Sequence, residues 1–61
     1  MPWTKRKYPD SMKNLDKRVR HKAIEIANAL VEKEKMDDGT AIPIAISKAK
    51  EWAENHPEEK A

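Results

Sequence analysis

Residues 37–47 read DDGTAIPIAIS, with isoleucines at 42, 44 and 46 and a proline at 43. Spacing of two is the period of a strand, whereas the residues that follow repeat at helical intervals. A helix explains more of the segment. With Thr40 as N-cap, Ala41, Ile42 and Pro43 fill the first three helical positions, whose N–H groups have no intrahelical acceptor, so the proline nitrogen loses nothing there. Ala41, Ala45, Ala49 and Ala53 then recur every fourth residue, with Ile42, Ile46 and Trp52 close to the same stripe. Nothing else in the chain alternates, and a lone strand has no partner. The helix is predicted over 40–56, stopping before Pro57, which disfavours helical geometry in the residue ahead of it. Residues 57–61 read as a frayed tail.

On the other side of this stretch lies Gly39, the sole glycine. It takes a positive φ without steric cost, so the chain is expected to turn there. Upstream of the turn, residues 17–35 contain neither Gly nor Pro, and Val19, Ala23, Ile24, Ile26, Ala27, Leu30 and Val31 gather on one face at 100° per residue. Asp16 is placed to cap this second amphipathic helix. Arg20 and Glu34 fall near the ends of the apolar stripe, where long stems cover the core and charged heads reach water.

Residues 1–10, MPWTKRKYPD, carry two prolines, two aromatics and a basic triplet with no helical period, and read as an extended arm pinned by Trp3 and Tyr8. Residues 11–15 allow one helical turn, capped by Asp10 or Ser11. The predicted fold is all-α. A short N-terminal helical turn and two antiparallel amphipathic helices form one domain over 1–61, with Trp3, Tyr8 and Trp52 closing a small aliphatic core.

Composition agrees. A chain of 61 residues closes around a single modest core. Charged residues at 39% and hydrophobic ones at 38% suit soluble helices, and the absence of cysteine excludes disulfides, thiolate chemistry and cysteine-ligated zinc. No apolar run reaches the roughly 20 residues of a membrane span, and the N-terminus lacks a signal-peptide core, so a cytoplasmic protein is expected.

Catalysis has little support. His21 sits among Arg18, Arg20 and Lys22, whose charge disfavours its protonated form, and reads as a surface residue. His21 and Glu25, one helical turn apart, would supply two metal ligands where zinc needs three from the protein. Asp37, Asp38 and Gly39 fail as a calcium loop, because aligning Gly39 puts Met36 and Ala45 where oxygen ligands belong. Ser11 and Ser47 have no nucleophile context. No catalytic, cofactor-binding or metal residue is assigned, and no enzyme activity is expected.

Two binding roles remain. The first is a protein partner or a second copy, docking on an aliphatic patch of Ile42, Ile44 and Ile46, because Ile44 lies off the Ile42/Ile46 stripe. The arm folded over that patch is the plainer alternative. The second is nucleic acid. Residues 1–22 hold eight basic side chains against two acidic ones, a net +6, while 23–61 carry −4. Lys5, Arg6 and Lys7 on the arm, with Lys13, Lys17, Arg18 and Lys22, can meet phosphates while Trp3 or Tyr8 stacks on a base. A helix-turn-helix reading suffers from the apolar, proline-bearing start of the second helix, which is ill suited to reading base edges.

The strings MPW, YPDSMKNL, KAIEIANAL and AIPIAISKAKEWAENHP, in that order, resemble the N-terminal region of the YdaT-like proteins, small proteins of Bacillus-type bacteria linked to general stress. The likeness spans nearly the whole chain. More distantly, Pro9, Asp10, Ser11, Lys13 and Leu15, then the segment 23–27, then Ala49, Lys50 and Trp52, are similar to ChaB, a helical family of cation transport regulators, although the loop between the helices is shorter here. The YdaT-like resemblance implies a compact helical fold and a non-enzymatic, stress-related role, with no binding residues to carry over. It leaves room for a further C-terminal domain, so the chain is either a minimal form or an excised piece.

Overall fold

The structure, a computed structural model, describes residues 2–56, so the tail expected at 57–61 lies outside it. A 3₁₀ turn at Asp10–Met12 precedes helix α1, Lys17–Lys33, and helix α2, Asp38–Asn55. The described residues contain no strand, and no helix among them is long and apolar enough to cross a membrane. Residues 34–37 join the helices, and the end of α2 returns to the start of α1, where Arg18 donates from Nη2 to the His56 carbonyl. The pair is therefore antiparallel.

Helix α1 begins as expected. The Asp16 carboxylate accepts the Arg18 N–H at 3.2 Å, satisfying one of the free donors of the first turn. The end differs from the expectation. The chain leaves α1 two residues early and reverses at Lys35, which takes φ 57°, while Gly39 has no positive φ and lies inside α2. The Glu34 and Met36 N–H groups both donate to the Leu30 carbonyl, at 3.1 Å each, and hold the left-handed residue in place. A local cap of this kind offsets the steric cost that a lysine meets in that conformation.

The start of α2 moves accordingly. Asp37, not Thr40, is the N-cap; it acts through its carbonyl, which accepts the N–H groups of Thr40 (3.1 Å) and Ala41 (2.8 Å), and its side chain makes no cap bond. Pro43 is thus the sixth helical residue, past the free-donor turn, and leaves the Gly39 carbonyl without an intrahelical N–H. Both residues are exposed, so water can take that carbonyl. The helical reading of DDGTAIPIAIS stands, with its cap three residues earlier than expected.

Between the helices the contact is made by small side chains. Ala23 and Ala27 of α1 and Ala45 and Ala49 of α2 are fully buried, with Ile24 beside them. Alanine lets the two backbones approach closely, but a face of methyl groups buries little area and needs a cover. The arm supplies it. Met12, from the 3₁₀ turn, is the largest side chain with no exposed surface, and Trp3, Tyr8 and Leu15 pack around the same cluster. Pro9, not Asp10 or Ser11, precedes this turn, and the Met12 N–H donates to its carbonyl at 2.9 Å.

One polar side chain is buried among these residues. Asn28, 3% exposed, stands one turn beyond Ile24 and one before Glu32 on α1. Its Oδ1 accepts the Trp3 N–H at 3.0 Å and its Nδ2 donates to the Trp3 carbonyl at 2.9 Å. Both ends of the amide are used on one residue of the arm. Asn28→Ala leaves those two backbone groups without their partners in a part-buried site, for an expected loss of about 1–3 kcal/mol in urea unfolding. A domain of this size has only about 3–9 kcal/mol in all. Unchanged stability would show that the arm is not held by this amide.

Candidate functional site

The pinned arm, the first half of α1 and the end of α2 enclose an open groove of about 820 Å³. Its walls follow from the fold. Because Asn28 fixes Trp3 at the side of α1, the chain leaving Trp3 must turn back at once toward the 3₁₀ turn. It does so at Thr4–Lys7, where the Thr4 N–H donates to the Lys7 carbonyl (2.8 Å) and the Thr4 hydroxyl accepts the N–H groups of Arg6 (3.3 Å) and Lys7 (3.0 Å). The arm is therefore a tight turn with Lys5 and Arg6 at its tip, not a wholly extended segment. Opposite that tip, Arg18, His21, Lys22 and Glu25 project from α1, and Trp52 closes the far side from α2.

Of the seven basic residues singled out in the sequence, the groove gathers Lys5, Arg6, Arg18 and Lys22. Lys17 borders a smaller adjoining depression with Asp16, Arg18 and His21. Lys7 and Lys13 are exposed and line neither. Glu25 is, among the described residues, the single carboxylate in the groove, and it is paired with Lys22 at 2.8 Å. Among the described residues no carboxylate is in ion-pair contact with Lys5, Arg6 or Arg18.

The aromatics separate by role. Trp3 packs against the core and lines the groove. Tyr8 packs against the core and lies under the Arg20 guanidinium, 5.1 Å from its ring centre, so it is not a groove residue. Trp52, expected to close the core, instead stands outside the buried cluster. The Arg18 guanidinium lies 4.5 Å from its ring centre and the Lys22 ammonium 5.1 Å, and the His56 ring stacks on it at 5.7 Å with a 20° tilt. Two residues lining the groove were not placed there by the sequence reading, which gave Asn28 no role and Trp52 one in the core. Asn28 was detectable as an amide set in an apolar stripe. Trp52 was not, since its stripe position also suits a core residue.

The aliphatic patch proposed from sequence is divided by the fold. Ile42 and Ile46 pack against the core, and only Ile44 stands outside that cluster, half-buried.

Comparison with known proteins is brief. The chain is 64% identical over 55 residues to a protein of Bacillus subtilis (strain 168) described as "Uncharacterized protein YdaT". Those residues are 90% of this chain and 36% of the relative, so the chain spans about a third of that protein's length. No family model and no solved structure matches, and the ChaB likeness stays a resemblance.

Partial burial, followed by the charges of Lys5, Lys17 and Arg20, holds the His21 pKa below its ordinary 6.5. The unfolded chain therefore binds this proton more readily than the folded one. The contribution of His21 to stability is complete above pH 6.5 and is lost as pH falls from there through the folded value. In NMR titration the His21 ring is expected to titrate below 6.5, and stability should drop more on acidification in the wild type than in His21→Gln. Titration at or above 6.5 would contradict the partial burial of His21 beside Lys5, Lys17 and Arg20.

Proposed function

We propose that this chain is a non-enzymatic binding module whose groove takes the phosphate backbone of a nucleic acid. The observation that supports this reading is the charge balance of the groove, where Lys5, Arg6, Arg18 and Lys22 surround, among the described residues, one carboxylate that is already paired with Lys22. Cations assembled without matching anions repel one another, and a polyanion relieves that repulsion while releasing its own counterions. Sequence favoured a protein partner first, but two of the three isoleucines behind that preference are committed to the core. A cytoplasmic setting belongs to the proposal as the expectation from a sequence without a membrane span or signal-peptide core, and a link to stress through the resemblance alone.

Anisotropy titration of a labelled oligonucleotide across a range of salt tests this. The slope of log K against log salt should be about −3 for four phosphate contacts to a single strand, at about −0.7 for each. Lys5→Ala with Arg6→Ala should flatten it by about half, whereas Lys48→Ala with Lys50→Ala, on α2 away from the groove, should leave it unchanged. No binding at low salt would overturn the proposal.

A second reading keeps one observation. Ile44 is a half-exposed aliphatic residue outside the core, and a second copy of the chain is its simplest partner. Sedimentation of the wild type should then show a dimer that Ile44→Glu dissociates. A monomer in both would remove self-association.

A further inference from the structure

We infer that the groove is a single-strand site in which an unpaired base stacks on Trp52 while Arg18 and Lys22 leave the indole for the flanking phosphates. The inference rests on the phosphate-binding reading and adds what distinguishes one form of nucleic acid from another.

Trp52 is the starting point. It is half-buried on α2 but belongs to no packed cluster, and its ring contacts are an arginine, a lysine and a histidine. A tryptophan held for packing is covered by aliphatic side chains, as Trp3 is by the core. Here the covering groups are long, charged and hydrated at their heads. Arg18 has no carboxylate among the described residues; the ring and the His56 carbonyl are its side chain's partners. A guanidinium over an indole at an exposed site is weakly held, whereas a guanidinium on a phosphate gains charge-assisted and often bidentate hydrogen bonds. A nucleotide therefore offers both partners a better contact at once: phosphate for Arg18, and a base for the indole face that Arg18 vacates.

Geometry restricts the ligand to an unpaired base. The platform lies inside a groove between the Lys5–Arg6 tip and α2, and Trp3 forms part of the same wall. Along a duplex the base faces are stacked on their neighbours and only phosphates and groove edges are presented, so a duplex can use the cations but not the indole. A single strand can use both, and stacking on an aromatic side chain tolerates any base. No base-edge readout is implied, because the groove's cations are assigned to phosphates and Asn28 spends its amide on Trp3.

The test uses the unmodified chain, whose two tryptophans give two indole N–H signals in a proton–nitrogen NMR spectrum. Oligothymidylate and oligouridylate of about ten nucleotides are titrated beside a blunt duplex of the same length. Expected are a large shift of the Trp52 indole signal with either single strand, a smaller one with the duplex, which draws Arg18 and Lys22 off the ring without stacking on it, and single-strand affinity about tenfold or more above that for the duplex. Trp52→Leu should lower single-strand affinity by about the same factor and leave duplex affinity and the salt slope unchanged. If that variant loses its helical dichroism, Trp52→Phe and the wild-type shifts decide. Equal affinity for both forms with Trp52 unmoved, or a shift of Trp3 instead, would overturn the stacking inference and leave the phosphate reading standing. Failure of every oligonucleotide to bind at low salt would overturn both.

Discussion

A single buried amide fixes the geometry of this small protein. Asn28 lies on the apolar face of α1, where a polar group is costly unless every hydrogen-bonding site is used. The Trp3 backbone uses both of them, with an N–H and a carbonyl spaced to match the amide. The pairing has the form of a strand edge reduced to one residue. It converts a segment without helical or strand period into a wall of defined position, and the rest of the arm inherits its course from that one attachment.

Two consequences follow from the same constraint. Below Trp3, the arm lays Met12, Tyr8 and Leu15 over a helix pair whose own interface is largely alanine and would bury little area uncovered. Above it, the tight turn at Thr4–Lys7 brings Lys5 and Arg6 to face Arg18 and Lys22. The cover over the helices and the facing of the cations are thus drawn from one attachment. A chain without cysteine obtains its ordered arm from hydrogen bonds, of which the Trp3–Asn28 pair is partly sheltered from water.

Much of the fold was legible from residue spacing because α1 announces itself locally, with a capping aspartate, an unbroken amphipathic period and no breaker. The isoleucine-proline segment was legible as a helix through its alanines, which repeat at four. Its boundary was not, for a physical reason: the turn uses Lys35 in a conformation that propensity assigns to glycine, and the cap of α2 acts through the Asp37 carbonyl, which any residue could provide. The basic residues of the groove were legible as a cluster in sequence but not as a surface. Lys7 and Lys13 share the composition of Lys5 and Arg6, and only the hydroxyl-bonded turn at Thr4 decides which of them point into the groove. Trp52 was hidden by its own periodicity, since the helical position that suits a core residue also suits one reached by Arg18 and Lys22 from the neighbouring helix.

The attachment of the arm can be examined without altering a residue, by amide hydrogen exchange of the native chain. The Trp3 N–H, bonded to a buried side chain rather than to a helix, should exchange as slowly as amides in the middle of α1, while those of Lys5 and Arg6 exchange rapidly. A Trp3 amide exchanging at the rate of a free peptide would contradict the account at its root, because neither the cover over the helices nor the facing cations would then have a fixed place.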